Sequence, residues 1–340
     1  VAGYEAVALT GDGRVRVVRE DVRAPGPGEL RIAVRVAGLC ATDREVRDGE
    51  MVYFTTGFAR YPVVPGHEWV GTVVEVAPDV AGFAPGDRVV GECSIGCGRC
   101  ATCRSGAYHL CPDREETGIV GRSGGLAGEL LFPARAAHHV PPGLPDDAAA
   151  LVEPAAVAVH AVDAADPGPG DSVLVVGAGP IGVLAMQAVR ARGGEVTICD
   201  RAAARLALAQ RLGADHVLDV TVTGPPRQRF DRVVEASGSA GGLRTAIAAA
   251  RPGATVVCVS LYGAEIPVPV DEVVTGSLRL QGSLGSPGAW PRTLELIAAG
   301  ALTPDRIVTA RYPLSRAAEA FDQIGRPDQL KVVVDARDEE

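Results

Sequence analysis

The run Cys97-Gly-Arg-Cys100-Ala-Thr-Cys103 is followed eight residues later by Cys111. Three thiols at two-residue gaps, with a fourth close behind, can surround one Zn²⁺ tetrahedrally as thiolates, and a closed site of that kind fixes the loop that carries it. Five of the eight cysteines lie between Cys93 and Cys111. Such clustering favours metal binding over disulfides. Inert buried cysteines would not account for four at ligand spacing within a polar loop. Cys93 is left over, either as a small packing residue or as a wall of an active site.

At 340 residues the chain is long enough for two domains, each with its own core. A net charge of −9 with no basic stripe argues against a general nucleic-acid partner. No apolar run is long enough to cross a bilayer, so no membrane partner is expected. The N-terminus, Val1-Ala-Gly-Tyr-Glu, lacks the basic and apolar regions of a signal peptide, and the cytoplasm is the expected compartment. Lys331 is the only lysine among 33 cationic residues. That bias reads as the trace of a GC-rich genome rather than of function.

The first third is rich in short β-type runs, Leu30 to Val36, Gly71 to Val76 and Arg88 to Val90, separated by turns such as Pro25-Gly-Pro-Gly and Pro85-Gly-Asp. Many short strands at this spacing predict a barrel-like β domain. Ala148 to Ala165 reads as a helix, ended by Pro167-Gly-Pro-Gly. Then the pattern alternates: strand Ser172 to Val176, helix Ile181 to Arg192, strand Glu195 to Asp200, helix Ala202 to Leu212, strand Arg232 to Glu235, helix Gly242 to Ala250, strand Thr255 to Ser260. This order predicts an α/β, doubly wound parallel sheet. The tail, with a helix near Ala317 to Ile324 and the run Leu330 to Asp335, can return to the first domain.

Gly177-Ala-Gly179-Pro180-Ile181-Gly182 follows a strand directly and opens a helix. The first Gly permits a tight turn, the second lets backbone approach a pyrophosphate, the third packs helix on strand, and the helix N-terminus favours phosphate. Asp200 ends the next strand, eighteen residues beyond Gly182, where a carboxylate can bind the adenosine ribose diol. The same carboxylate repels a 2′-phosphate, which favours NAD over NADP. Arg201 beside it could instead bind that phosphate, and Arg205, one helical turn on, can reach the ribose hydroxyls.

A second, sparser set of zinc-type residues comprises Cys40, His67, Glu68 and Glu153. Thiol, imidazole and carboxylate together suit an open zinc site better than any one of them alone. Asp43 is placed to orient His67 through its second ring nitrogen, and Thr42 offers a hydroxyl for proton transfer.

Five motifs carry a resemblance over essentially the whole chain: Cys40-Ala-Thr-Asp43, Gly66-His67-Glu68, the Cys97 to Cys111 cluster, Val152-Glu153-Pro154 and the Gly177 to Gly182 loop. In these the chain resembles the zinc-containing medium-chain dehydrogenase/reductase (alcohol dehydrogenase) family. The resemblance implies a GroES-like, β-rich catalytic domain built from residues 1–155 and 290–340, a Rossmann domain over 156–289, and a cleft holding the catalytic zinc. Glu153-Pro154 is similar to the polyol and sugar branch. That similarity implies a catalytic zinc on Cys40, His67 and Glu68, with Glu153 touching the metal's water or exchanging with Glu68. It also implies a structural zinc on Cys97, Cys100, Cys103 and Cys111, so two Zn²⁺ per chain. Cys40-Ala-Thr-Asp-Arg-Glu45-Val and Glu116-Thr-Gly-Ile119 resemble zinc-dependent glucose dehydrogenases. Tyr61-Pro-Val-Val-Pro-Gly-His-Glu-Trp69 resembles aminocyclitol dehydrogenases of the 2-deoxy-scyllo-inosamine type.

Where most relatives end the proton relay on His, this chain has Glu45. Where glucose enzymes place sugar-binding Asn, it has Cys93 and Gly285, which argues against glucose itself. Aromatic residues Tyr53, Phe54 and Phe58 either wall the pocket or pack a core. The activity implied is reversible hydride transfer between NAD and a secondary or ring hydroxyl carbon of a polyol, sugar or aminocyclitol, in sugar or antibiotic metabolism. The proton would leave through Thr42 and the cofactor ribose toward Glu45, and Glu116 and Glu153 would read the substrate. Rival readings are a zinc enzyme for a simple alcohol or amino alcohol, a zinc-free quinone or enoyl reductase, and a non-catalytic NAD-binding protein. Family similarity also implies a homo-oligomer, tetramer ahead of dimer.

Overall fold

The computed structural model describes residues 3–224 and 226–337. Two compact units divide the chain: the first runs to Glu153 and resumes at Ile307, and the second is Pro154–Arg306.

In the first unit, strand Glu29–Leu39 buries Leu30, Ile32, Val34 and Val36 on alternate positions, the period of a half-covered strand. It is the hub of a seven-stranded sheet. Glu68–Val76 and Lys331–Asp335 flank it antiparallel, Glu129–Pro133 also pairs with it, and Arg88–Gly91, Ala137–His139 and Val308–Pro313 extend the sheet. Trp69 and Phe132 meet edge to face at 4.9 Å in the core beneath it. A small sheet of Ser94–Ile95, Glu115–Thr117 and Gly121–Arg122 carries the thiol-rich loop between its first two strands.

In the second unit six parallel strands stand in the order His216–Asp219, Glu195–Asp200, Ser172–Val176, Phe230–Glu235, Ala250–Cys258, Arg279–Gly282. Val173 to Val176 are all buried, as expected for a central strand covered on both faces. Helices Pro180–Ala191, Ala203–Arg211 and Ala240–Ala249 connect successive strands. The order turns around at Ser172–Val176, which is the doubly wound arrangement.

Several elements differ from the sequence reading. The single helix expected from Ala148 is two, Asp146–Ala150 and Val152–Ala165. Pro154 has no N–H to donate to the Ala150 carbonyl, so the chain breaks at Leu151 and restarts with proline in the first turn. Strands His216–Asp219 and Arg279–Gly282 went unrecognised, because both sit at sheet edges and are not continuous apolar runs. The return to the first unit comes at Ile307 rather than 290. Helix Trp290–Ala298 buries Trp290, Thr293, Leu294 and Ile297, and Gln187 exchanges two hydrogen bonds with Thr303, at 2.9 and 3.1 Å, inside the second unit. Among the described residues no helix is long and apolar enough to cross a membrane.

Candidate active site

Three adjacent strands deliver the first constellation. Glu29–Leu39 ends just before Cys40, which caps helix Ala41–Asp48. Glu68 opens the neighbouring strand opposite Gly38, and Val332 lies opposite Leu39 on the other side. A Cβ on Gly38 would collide with the Glu68 carboxylate, so glycine is what lets that side chain fold across the sheet end. One ligand atom each of Cys40, His67 and Glu68 lies within 4.8 Å of the others, with His67 and Glu68 buried. The donor set is that of an open zinc site.

The electrostatics ask for a cation. Burial alone would keep His67 neutral, yet Asp43, Cys40 and Glu153 outweigh it and hold the ring well above its ordinary value. Glu153, buried on the first turn of Val152–Ala165, is pushed up to about 7, by burial first and also by Glu68 and Asp43. His67 Nδ1 is buried without a hydrogen-bond partner. Asp43 does not hydrogen-bond that nitrogen but faces it as an ion pair, its Oδ1 3.9 Å from Nδ1. Its carboxylate instead accepts from the Cys40 N–H at 2.8 Å and the Gly66 N–H at 3.2 Å, bracing the backbone at or beside two ligands. Thr42 Oγ1 lies 3.7 Å from Cys40 Sγ. Glu45 is half-buried, and burial raises its carboxyl against the opposing pull of Arg44.

The second constellation is Cys97, Cys100, Cys103 and Cys111, whose sulfurs lie within 4.8 Å of one another. Sulfur pairs stand 3.9 Å (Cys97 and Cys103) and 3.8 Å (Cys100 and Cys111) apart. A tetrahedron with Zn–S bonds of about 2.3 Å has edges of about 3.8 Å, so the cage already has the size of the ion. Backbone N–H groups of Arg99 and Cys100 lower the Cys97 thiol to about 6, which favours the thiolate a zinc ligand must be.

In the second unit the glycine-rich turn follows Ser172–Val176. Gly177 has φ +100°, and a Cβ there would meet Ser237 Cα at 2.9 Å; one on Gly182 would drive into the Gly177 carbonyl. Gly179 has nothing within 4 Å of its Cβ position, which leaves room for a pyrophosphate, and Pro180 opens the helix with Ile181 behind it. Asp200 accepts from the Ala178 N–H at 2.7 Å and from the Arg201 and Ala202 N–H groups at 2.7 and 2.8 Å. Its carboxylate therefore ties the glycine-rich loop to the end of its own strand. Arg201 is exposed, and Arg205 is half-buried with its Nε lacking a hydrogen-bond partner.

Residues 26–142 match the family described as Alcohol dehydrogenase GroES-like domain, and residues 180–299 match Zinc-binding dehydrogenase. An L-idonate 5-dehydrogenase of Vitis vinifera is 30% identical over 88% of this chain and 86% of its own. An L-threonine 3-dehydrogenase of Deinococcus radiodurans is 32% identical over 95% of each. The chain belongs to the zinc-dependent medium-chain alcohol dehydrogenase family. A zinc-binding dehydrogenase of Sinorhizobium meliloti 1021, solved bound to NADP, superposes with a TM-score of 0.91 at 31% identity over 98% of this chain and 100% of that one.

This medium-chain dehydrogenase is thus an oxidoreductase acting on CH–OH, with residues that fit zinc and a nicotinamide cofactor. Two residues at its site escaped the sequence reading. Lys331, set aside as a compositional accident, is buried and reaches both Glu68 oxygens at 2.7 and 2.8 Å and the Leu39 carbonyl at 3.0 Å. The signal was there: one lysine kept in an arginine-rich chain, at the start of the returning strand. The other is Arg114, whose Nε donates to Glu116 Oε1 at 2.7 Å, so Glu116 comes to the site with a guanidinium partner.

Proposed function

We propose that this dehydrogenase oxidises a secondary or ring hydroxyl of a polyol, sugar or aminocyclitol with NAD, reversibly, as a step of sugar or antibiotic metabolism. The observation that carries it is the Cys40, His67 and Glu68 set, with His67 and Glu68 buried, together with the buried Glu153 close enough to feel its charges, a carboxylate that an apolar alcohol would leave unpaired. When bound, zinc polarises the substrate oxygen and NAD accepts the hydride.

Cys40, His67 and Glu68 hold the metal, and Glu153 exchanges with Glu68 or orients the substrate. Thr42 relays the hydroxyl proton by way of the cofactor ribose toward Glu45, whose raised carboxyl is suited to receive it. Gly177, Gly179, Pro180, Ile181 and Gly182 hold the pyrophosphate. Asp200, with an oxygen still able to accept, and Arg205 bind the ribose; the carboxylate favours NAD over NADP despite Arg201. The thiolate-rich chemistry suits the reducing cytoplasm. The chain works as a homo-oligomer, tetramer ahead of dimer by family similarity, and strand Arg279–Gly282, which ends its sheet with all four residues exposed, is an edge open to a second copy. Sedimentation showing only monomer would rule that out.

A second reading, an amino alcohol as substrate, is favoured by the likeness to an L-threonine 3-dehydrogenase. The test is NADH formation across aldoses, polyols, aminocyclitols, L-threonine and simple alcohols, on protein whose zinc content is measured. Turnover of a polyol or ring polyol is expected. No turnover on any of them with zinc bound, or a preference for simple alcohols, would overturn the reading.

A further inference from the structure

A buried carboxylate reads a substrate differently when a guanidinium already holds it. Glu116 lies in strand Glu115–Thr117, opposite Ser94, and the Thr117 N–H donates to the Cys93 carbonyl at 2.9 Å. Its strand therefore runs beside Cys93, whose half-buried thiol is raised by burial and then by the charges of Glu153, Glu116 and Cys40. Two residues on, Gly118 packs so closely that a Cβ there would stand 2.8 Å from the Gly66 nitrogen, so this stretch borders the residue before His67.

Arg114 is built in around it. Nε donates to Glu116 Oε1 at 2.7 Å, Nη2 donates to the Tyr53 hydroxyl at 3.3 Å, and the guanidinium lies 4.8 Å from the Phe58 ring centre and 5.5 Å from that of Tyr53. The two rings meet edge to face at 5.3 Å. Both charged side chains are largely buried, 14% exposed for Arg114 and 7% for Glu116. A guanidinium has five N–H donors and a carboxylate two oxygens, so beyond these bonds the pair still has donors to give and an oxygen that accepts.

We propose that Arg114 and Glu116 act as one neutral donor–acceptor pair that grips a vicinal diol, making Arg114 the residue that sets the pocket for uncharged polyols against amino-bearing analogues. This rests on the polyol reading above. One diol hydroxyl accepts from the guanidinium while its neighbour donates to Glu116. An ammonium group needs an uncompensated carboxylate, and here it would face the Arg114 charge instead. A substrate carboxylate or phosphate would equally face Glu116.

The test compares kcat/KM of the zinc-loaded enzyme on neutral polyols, aminocyclitols, L-threonine and sugar phosphates. The Arg114→Met variant should lose about 10- to 100-fold on the best neutral polyol, the worth of a charge-assisted hydrogen bond. On ammonium-bearing substrates it should lose far less, so selectivity moves toward them by about tenfold or more. Arg114→Lys, which keeps the charge but not the fork, should lose polyol turnover without that move. Glu116→Gln should shift preference toward sugar phosphates, and together with Tyr53→Phe it carries the test if Arg114→Met does not fold. Unchanged selectivity in Arg114→Met and Glu116→Gln, with the wild type active on polyols, overturns the pair alone. A zinc-loaded wild type that turns over no polyol overturns the pair and the polyol reading together.

Discussion

Lys331 spends all three of its N–H donors on two Glu68 oxygens and the Leu39 carbonyl, in a place that is 3% exposed for the lysine and 1% for the glutamate. Its compact ammonium meets both oxygens of the one carboxylate and a carbonyl at the end of the neighbouring strand, so a single group ties the two strand ends together. The pair holds the Glu68 carboxylate across the sheet end beside Cys40. Removing one partner strands a buried charge, so Lys331→Met should cost about 3–5 kcal/mol in urea unfolding, while the double variant with Glu68→Gln recovers most of it. Equal unfolding midpoints for wild type and Lys331→Met would contradict this. At this scale the sequence was only partly legible. Cys40, His67 and Glu68 announce themselves by donor chemistry, and the thiol cluster by spacing. Lys331 and Arg114 do not, because what makes each matter is a partner brought near by folding: Lys331 lies 263 positions along the chain from Glu68, and Arg114 looks like one more surface arginine. Asp43 shows a double role that spacing alone does not reveal, since its charge faces His67 while its oxygens brace the backbone at Cys40 and Gly66.

Between elements, Asp146 at the start of helix Asp146–Ala150 joins two strands. It accepts from Arg35 Nε at 2.7 Å and from Arg88 Nη2 at 2.6 Å, and Arg88 also reaches the Leu144 carbonyl at 2.8 Å. Burial pushes the Asp146 carboxyl up, but the two guanidiniums outweigh it and hold it below the usual carboxylate range. The folded state therefore binds this proton less tightly than the unfolded chain does. Its contribution is complete above the unfolded value of about 4 and is lost as pH falls through the lower folded one. Asp146→Asn should cost about 1 kcal/mol at pH 7, with a gap in melting temperature that closes toward pH 3. A gap of the same size at both pH values would contradict the assignment. Elements with a clear period, such as Glu29–Leu39 and Ser172–Val176, were legible from their residues. Edge strand Arg279–Gly282 was not, since it owes its form to pairing with Ala250–Cys258 rather than to its own apolar pattern. The break at Leu151 was visible in principle, because Pro154 removes the N–H that the Ala150 carbonyl needs.

For the molecule as a whole, the chain ends in the fold where it began: Lys331–Asp335 pairs with Glu29–Leu39, and without it the first unit would lack both a central strand and the partner of Glu68. The doubly wound unit was readable from its β-α alternation and the glycine-rich turn. Its far boundary was not, because helix Trp290–Ala298 carries no mark of which core its apolar face will join. What unites the account is a division of labour between a closed four-thiol cage and an open site at Cys40, His67 and Glu68. The most direct test is to measure bound zinc and NAD-linked polyol turnover on the same preparations of wild type and Cys40→Ser. The wild type should carry two zinc ions per chain and turn over; the variant should keep one, stay folded and be inactive. A variant that keeps both ions and its turnover, or a wild type active with only the thiol cage filled, would contradict a zinc-dependent reaction at this site.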